Sequence, residues 1–196
     1  TKKSLEGFLD PLRDYSCGFF DDQEKLITNI KNHRNLSKKI LKECDYLFLT
    51  LGQTESWFDK KDKFLWGSAP VKMQNFYEDR KDFDLVDFSL NEIIQDLYYV
   101  VENLIKNNTK LNIFLTLSPV PSFATFFNKN VILSSSYGKS KLRVAIEEIV
   151  SNFSKVKYFP SFENVMLDNS NFRVDNRHVK IKKTQDIFKI FKKNKY

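Results

Sequence analysis

Asp175 and His178 lie three residues apart and form the pair in this sequence whose types and spacing best fit acid–base chemistry. A histidine can take a proton from a nucleophile at one ring nitrogen while an aspartate holds the other. That contact fixes the tautomer and stabilises the imidazolium ion. The same spacing is common in polar turns, and on spacing alone the turn is the better explanation. The chemistry of the two side chains nevertheless makes His178 a candidate general base and Asp175 its orienting carboxylate.

Further candidates follow three short apolar runs, which begin at Asp45, Asn112 and Val156. Such continuous runs are typical of strands buried on both faces of a parallel sheet, and ligands bind outside the carboxyl ends of those strands. Turn chemistry alone explains Pro, Ser and Gly at any one strand end, but the ends together favour a site. The candidate oxyanion or substrate-binding residues there are Gly52, Thr54, Glu55, Trp57 and Ser118. For Trp57 a place in the core is an equal alternative. For Glu55 the alternative is an acid at the start of a helix.

Helical patterns separate the runs. The best covers Ser89 to Ile105, where Ser89 and Glu92 predict a capping box. Another helix is predicted after Gly138, a third near the C-terminus, and an earlier one from Leu26 to Leu41. Strands alternating with helices predict the α/β class, with a parallel sheet covered on both faces in one domain over residues 1–196.

Two segments carry weaker predictions. The stretch from Gln53 to Asp87 is aromatic and polar without a clean period, which predicts a long functional loop with short helical pieces. Lys139, Lys141 and Arg143 flank Leu142 on the predicted helix. We expect them on its solvated side, with contact to an anionic substrate as the alternative.

Composition limits the classes of function. The chain has 196 residues and a net charge of +7, but residues 180–196 alone hold seven lysines and one aspartate. A basic excess confined to one terminal helix favours a solvated face over a nucleic-acid site. No apolar run approaches the roughly 18 residues that span a bilayer. No signal peptide is visible, which favours the cytoplasm.

Cysteine and histidine content points away from metal or redox chemistry. Cys17 and Cys44 are expected to be free thiols. With His33 and His178 they offer no spacing that fits a structural zinc site. We expect neither a metal nor a cofactor.

Five ordered segments between about residues 10 and 178 resemble successive blocks of the GSCFA family. They are Asp10-Pro-Leu-Arg13 with Gly18-Phe19, Thr50-Leu-Gly-Gln-Thr-Glu-Ser-Trp57, Thr116-Leu-Ser-Pro-Val-Pro121, Ser140-Lys-Leu-Arg143 and Tyr158-Phe-Pro-Ser-Phe-Glu163. That family resembles the SGNH or GDSL-like hydrolases. The resemblance implies a flavodoxin-like three-layer α/β/α sandwich, here without its first strand.

The resemblance also implies roles. In SGNH enzymes a serine near the N-terminus attacks an ester carbonyl, and a late histidine is the general base. His178 would be that base and Asp175 its partner. Gly52 would stand in the Gly-x-Asn block, with Thr54 in place of the amide. Loss of one oxyanion donor typically costs on the order of a hundredfold in rate.

The expected nucleophile block is absent. Tyr15-Ser-Cys-Gly-Phe19 imitates it, but no apolar strand precedes Ser16, which we expect on a surface loop. Either the serine lies upstream in a longer protein, which the non-Met start favours, or the chain binds without catalysing.

The leading hypothesis is an SGNH-type esterase or O-acyltransferase acting on an ester-linked acyl group of a small molecule or glycan. The alternatives are a non-catalytic ligand- or glycan-binding module and a basic interaction domain. The sequence indicates neither the substrate nor the oligomeric state.

Overall fold

The computed structural model describes residues 1–4, 6–73, 76 and 79–194. The helices longer than one turn are α1 (Gln23–Glu43), α2 (Leu90–Asn107), α3 (Val131–Asn152), α4 (Ser161–Met166) and α5 (Ile181–Asn194). The strands are β1 (Lys2–Ser4), β2 (Gly7–Leu9), β3 (Tyr46–Leu51), β4 (Glu55–Asp59), β5 (Phe64–Leu65), β6 (Phe83–Asp87), β7 (Asn112–Leu117) and β8 (Val156–Tyr158).

The chain divides into two compact units that alternate along the sequence. The antiparallel unit consists of Thr1–Glu43 and Glu55–Phe88, and the parallel unit consists of Cys44–Thr54 and Ser89–Tyr196. The antiparallel unit contains the two sheets β1–β2 and β5–β4–β6, and the parallel unit contains the sheet β3–β7–β8. One domain over residues 1–196 stays a prediction.

The parallel unit is built on the sheet β3–β7–β8, with β7 in the centre. Both pairings are parallel, with Tyr46 opposite Asn112 and Ile113 opposite Val156. The prediction of three parallel strands is therefore confirmed. The other edge of β3 pairs with no further strand among the residues described.

Strand β7 is apolar on both faces because helices cover both. Phe114 packs in a cluster with Phe159, Val165 of α4 and Ile187 of α5. Side chains alternate along a strand, so Ile113, Leu115 and Leu117 face the opposite layer, where α2 and α3 pack. This is the predicted three-layer α/β/α arrangement.

The sequence predicted the start of α2 correctly and the start of α3 incorrectly. The predicted capping box of α2 is confirmed, since the Ser89 hydroxyl accepts from the Glu92 amide and the Glu92 carboxylate accepts from the Ser89 amide. The predicted start of α3 after Gly138 is wrong. The helix begins at Val131, because the Asn130 side chain caps it by accepting the Ile132 amide.

Gly138 lies inside α3 for a packing reason. A Cβ atom at this position would lie 3.0 Å from Oγ1 of Thr54, which is tighter than an ordinary contact. The glycine therefore lets α3 approach the residues that follow β3.

The antiparallel unit corrects the prediction of a long loop over residues 53–87. Strand β4 pairs antiparallel with both β5 and β6, with Glu55 opposite Asp87. The pairing joins segments far apart in sequence, and β4 has bulky side chains on both faces, so no clear alternation marked it. The core of the antiparallel unit contains Leu9, Trp57, Trp66 and Phe76.

No helix in the described ranges is both long enough and apolar enough to cross a membrane.

Candidate active site

Asp175 and His178 lie in a tight turn between α4 and α5. Asn176 adopts a left-handed conformation with φ of 52°, which asparagine tolerates well. The turn is closed by the Arg173 amide, which donates to the His178 carbonyl at 2.7 Å. This backbone holds the two side chains on one side of the turn.

The two side chains are in direct contact. Oδ2 of Asp175 lies 2.5 Å from Nδ1 of His178, and Oδ1 accepts the His178 amide at 2.9 Å. The Arg177 amide donates to the same Oδ1 at 3.0 Å. Both side chains remain accessible, with 51% of His178 and 44% of Asp175 exposed.

These contacts keep the Asp175 carboxyl ionised. The hydrogen bond from the His178 ring, followed by those from the His178 and Arg177 amides, holds the pKa of the Asp175 carboxyl well below its usual range. An ionised carboxylate at Nδ1 favours the tautomer with its proton there. Nε2 of His178 is then left with a lone pair that can accept a proton.

Arg177 ties this turn to the end of β7. Its Nε atom donates to the Pro121 carbonyl at 3.1 Å. Its guanidinium lies over the Phe123 ring, 5.5 Å from the ring centroid. The Asp175–His178 pair is thus attached to one of the strand ends where ligands bind in parallel sheets.

The ends of β3 and β7 lie side by side. The Ser118 amide donates to the Leu51 carbonyl at 2.8 Å, and the Ser118 Cβ atom would lie 3.6 Å from a Cβ built on Gly52. Thr54 is 5% exposed and packs on Gly138. The structure therefore brings Gly52, Thr54 and Ser118 together, whereas their roles toward a substrate stay predictions.

Lys139 lies at the same strand ends. Its Nζ atom donates to the Gly52 carbonyl at 3.0 Å, and the residue is only 7% exposed. Burial lowers the pKa of the ammonium group from 10.5 to about 8. A buried cation so close to Gly52 belongs to the site by position.

The prediction that the lysines of α3 face solvent is wrong. Lys141 is 6% exposed, with Nζ 4.6 Å above the Tyr137 ring. Lys139 shares the buried helix face with Leu142 and Ile146, which lie three and seven residues further along α3. Arg143 is partly exposed, with 36% of its side chain accessible.

An open cavity of about 1070 Å³ lies against this region of the parallel unit. Much of its wall is apolar, including Phe123, Ile132, Phe162, Met166 and Phe172. Four charged side chains line it: Lys139, Arg143, Asp175 and Arg177. The cavity thus connects the lysine on the Gly52 carbonyl with the carboxylate that holds His178.

Two side-chain networks join the segments that resemble family blocks. The Tyr158 hydroxyl contacts both carboxylate oxygens of Glu163 at 2.7 Å, and the Arg143 guanidinium lies 4.0 Å above the Tyr158 ring. Burial, and then the hydrogen bond to Glu163, raises the pKa of Tyr158. The Thr116 and Ser161 hydroxyls form a hydrogen bond. These contacts hold the ends of β7 and β8 together.

The other sequence-predicted residues lie in the antiparallel unit. Trp57 is 3% exposed, packs edge-on against Phe76 and has the Arg80 guanidinium 4.1 Å from its ring centroid. Glu55 opens β4. Ser16 is exposed in a short 3-10 turn, where its amide donates to Asp14. Substrate-binding roles for Glu55 and Trp57 stay predictions.

The sequence analysis expected Lys139 on the solvated side of its helix, with contact to an anionic substrate as the alternative, and it did not single out Arg177. Lys139 had a usable signal, since its spacing of three to Leu142 and seven to Ile146 is that of one helix face. Arg177 had none, because its partner Pro121 is 56 residues away. In the described part of the chain, no three or more His, Cys, Asp or Glu side chains are grouped to hold a metal.

Comparison with known proteins identifies a family. The family model of the GSCFA family matches residues 6–191. No curated protein matches the chain.

Proposed function

The chain belongs to the GSCFA family, and from that premise we propose that it is an SGNH-type ester hydrolase or O-acyltransferase. Its substrate would be an ester-linked acyl group on a small molecule or a glycan. The proposal assigns a chemistry to the parallel unit and none to the antiparallel unit.

The observation that carries the proposal is the Asp175–His178 contact of 2.5 Å. With Asp175 on Nδ1, Nε2 of His178 can take the proton of a serine hydroxyl as the serine attacks the acyl carbon. The imidazolium then returns that proton to the alcohol that leaves. The ionised Asp175 stabilises the imidazolium between these two steps.

Gly52 and Thr54 are the proposed donors to the oxygen that becomes negative. Backbone amides and hydroxyls aimed at a developing oxyanion lower the barrier to acyl transfer. Support comes from their place at the end of β3, beside the end of β7 to which Arg177 attaches the catalytic pair.

The serine itself has no assigned position among the residues described. In SGNH enzymes it follows a strand that lies centrally in the sheet. A parallel strand added to the open edge of β3 would end at the same side of the sheet as Gly52, because parallel strands share their direction. We therefore propose that edge as the place of the nucleophile strand.

A second candidate is a binding module that uses the same cavity without catalysis. It is favoured by the 1070 Å³ of largely apolar cavity combined with the unassigned nucleophile. The two candidates differ in whether His178 matters for turnover.

The test is hydrolysis of a short-chain aryl acetate by the 196-residue chain and by the protein expressed from the whole open reading frame that encodes it. Each is measured with His178→Ala and with His33→Ala as the matched control, since His33 is an exposed histidine of α1. We expect activity that His178→Ala abolishes and His33→Ala leaves intact. Activity unchanged by His178→Ala would refute the proposed mechanism, and no activity in any form would favour the binding module.

A further inference from the structure

Lys139 is a buried cation whose charge is not balanced by a carboxylate. It is 7% exposed, and its only hydrogen bond within the described residues goes to the neutral Gly52 carbonyl. Burial is the sole cause of its lowered pKa, with no contribution from a nearby acid. Buried charges in proteins are usually paired, so an unpaired one that lines a cavity indicates a missing anion.

Lys141, the other buried lysine of α3, differs. Lys141 is equally buried, but Glu92 of α2 is close enough for the charge of Lys141 to help lower the Glu92 pKa, after the larger effect of Ser89. The contrast shows that burial of a lysine in α3 does not itself leave the charge unbalanced.

The other charges that line the cavity leave it positive. Arg143 contacts Glu147 at 2.7 Å and Glu163 at 3.4 Å, so its charge is compensated. Asp175 is held by His178. The Arg177 side chain donates only to the Pro121 carbonyl, and its guanidinium contacts no carboxylate in the ranges described. Two cations, Lys139 and Arg177, therefore remain available to an anion.

The rest of the wall suits a hydrocarbon chain. Phe123, Ile132, Phe162, Met166 and Phe172 line the cavity, and several are exposed there, Phe123 to 81% and Ile132 to 73%. Burying these surfaces against an acyl chain is favourable in proportion to the apolar area covered.

We propose that this cavity binds a single-chain amphipathic anion, with its carboxylate or phosphate on Lys139 and Arg177 and its hydrocarbon along the apolar wall. The inference rests on the proposed function for the statement that this ligand is the substrate or acyl donor. The binding itself requires no turnover. Lys139 thereby selects acyl compounds that carry a negative charge.

If Lys139 served only to hold the Gly52 carbonyl, the expected ligand affinities would be different. Holding a carbonyl requires a donor and not a charge. Ligand charge would then have no effect on affinity, whereas an anion site discriminates between ligands of equal length that differ in charge.

The experiment is isothermal titration of the 196-residue chain with decanoate, decyl phosphate and decanol at pH 7, below their aggregation limits. A charge-assisted hydrogen bond is worth roughly one to two orders of magnitude in affinity, so at least one anion should bind more than about tenfold tighter than decanol. The two anions distinguish a carboxylate from a phosphate head group.

Variants assign the effect. Lys139→Gln should reduce the affinity for the anion to that for decanol. Lys182→Gln, which removes an exposed lysine of α5, should change neither affinity. The second variant, Arg177→Gln, should lower the affinity for the anions and leave the affinity for decanol unchanged. The glutamine amide nitrogen occupies the position of Nε and can still donate to Pro121, so the variant removes the charge but keeps this hydrogen bond.

Equal affinity for decanol and both anions, or anion binding that survives both cavity variants, would overturn the inference. If Lys139→Gln fails to fold, the wild-type comparison and Arg177→Gln still decide it. Aryl acetate carries neither a charge nor a long chain. Its hydrolysis therefore tests the proposed function separately, and either result can fail without the other.

Discussion

The Nε atom of Arg177 donates to the carbonyl oxygen of Pro121 across 3.1 Å, and so joins the turn that holds Asp175 and His178 to the end of the central strand β7. The base of the proposed reaction is therefore not positioned by its own turn alone. The Arg177 side chain, through this hydrogen bond and its contact with the Phe123 ring, is one of the contacts that position His178 relative to the strand ends.

Replacing Arg177 should separate its positioning role from its charge. We expect Arg177→Met to lower kcat for a neutral aryl acetate by on the order of tenfold with little change in KM, since the hydrogen bond that places His178 is lost. Arg177→Gln keeps a donor at the same position and should retain most of kcat. Steady-state kinetics of the two variants checks this. A loss of kcat that is equal in both variants would contradict the positioning role.

Asp175→Asn should remove activity without removing the turn. The amide cannot stabilise the imidazolium and favours the wrong tautomer, so we expect a loss in kcat on the order of 10⁴ in an active form of the protein. His33→Ala serves as the unchanged control. Retention of activity within about tenfold would show that His178 acts without this partner.

Acid should not inhibit the protein through Asp175. The hydrogen bond from His178, with those from the two amides, lowers the pKa of this carboxyl, so it stays ionised well below the usual Asp range. On a logarithmic scale, the rate–pH profile of the wild type should therefore show no inflection at the usual Asp pKa of about 4. An inflection there that is absent from Asp175→Asn would contradict the lowered pKa of this carboxyl.

Lys139 should make the folded state less stable at neutral pH than at alkaline pH. Its folded pKa of about 8 lies below the unfolded value of 10.5, so the unfolded chain binds more protons between these values. The free energy of unfolding therefore rises with pH in that window, by about 1 kcal/mol from Lys139 between pH 7 and pH 9.

Lys139→Met is the reference for this measurement, since the other titrating groups are common to both proteins. Urea unfolding at the two pH values should show wild type gaining on the variant by that amount. No relative gain would mean that the Lys139 ammonium is compensated in the folded protein.

Gly138→Ala should depend on the residue at position 54. In wild type the new Cβ would lie 3.0 Å from Thr54 Oγ1, and we expect a loss of about 1 kcal/mol in unfolding free energy. In a Thr54→Ala background that contact is gone, and the helix preference of alanine should instead add about 0.5–1 kcal/mol. Denaturant unfolding of all four proteins measures the coupling. The same effect in both backgrounds would show that the contact is not limiting.

Patterns contained within one segment were predictable. The parallel strands follow from continuous apolar runs, and the start of α2 follows from Ser89 and Glu92, because each signal lies within a few residues. The sheet β5–β4–β6 was missed because Glu55 pairs with Asp87, and nothing local to either residue announces the other.

The site divides in the same way. The Asp175–His178 contact joins residues three apart and was accessible to sequence reasoning. Gly138 was misread as a helix boundary because its purpose, room for Thr54, is a tertiary one. Lys139 was assigned to solvent because a lysine is almost never fully buried, although its spacing to Leu142 and Ile146 is that of the buried helix face.

The central claim, that His178 held by Asp175 activates a serine, is tested most directly by covalent labelling with a fluorophosphonate, followed by intact and peptide mass spectrometry. The protein expressed from the whole open reading frame is labelled in three forms, which are the wild type, His178→Ala and His33→Ala. The account predicts one adduct on one serine in wild type and His33→Ala, and a loss of labelling of at least about a hundredfold in His178→Ala. Equal labelling of wild type and His178→Ala, or no adduct in any form, would contradict it.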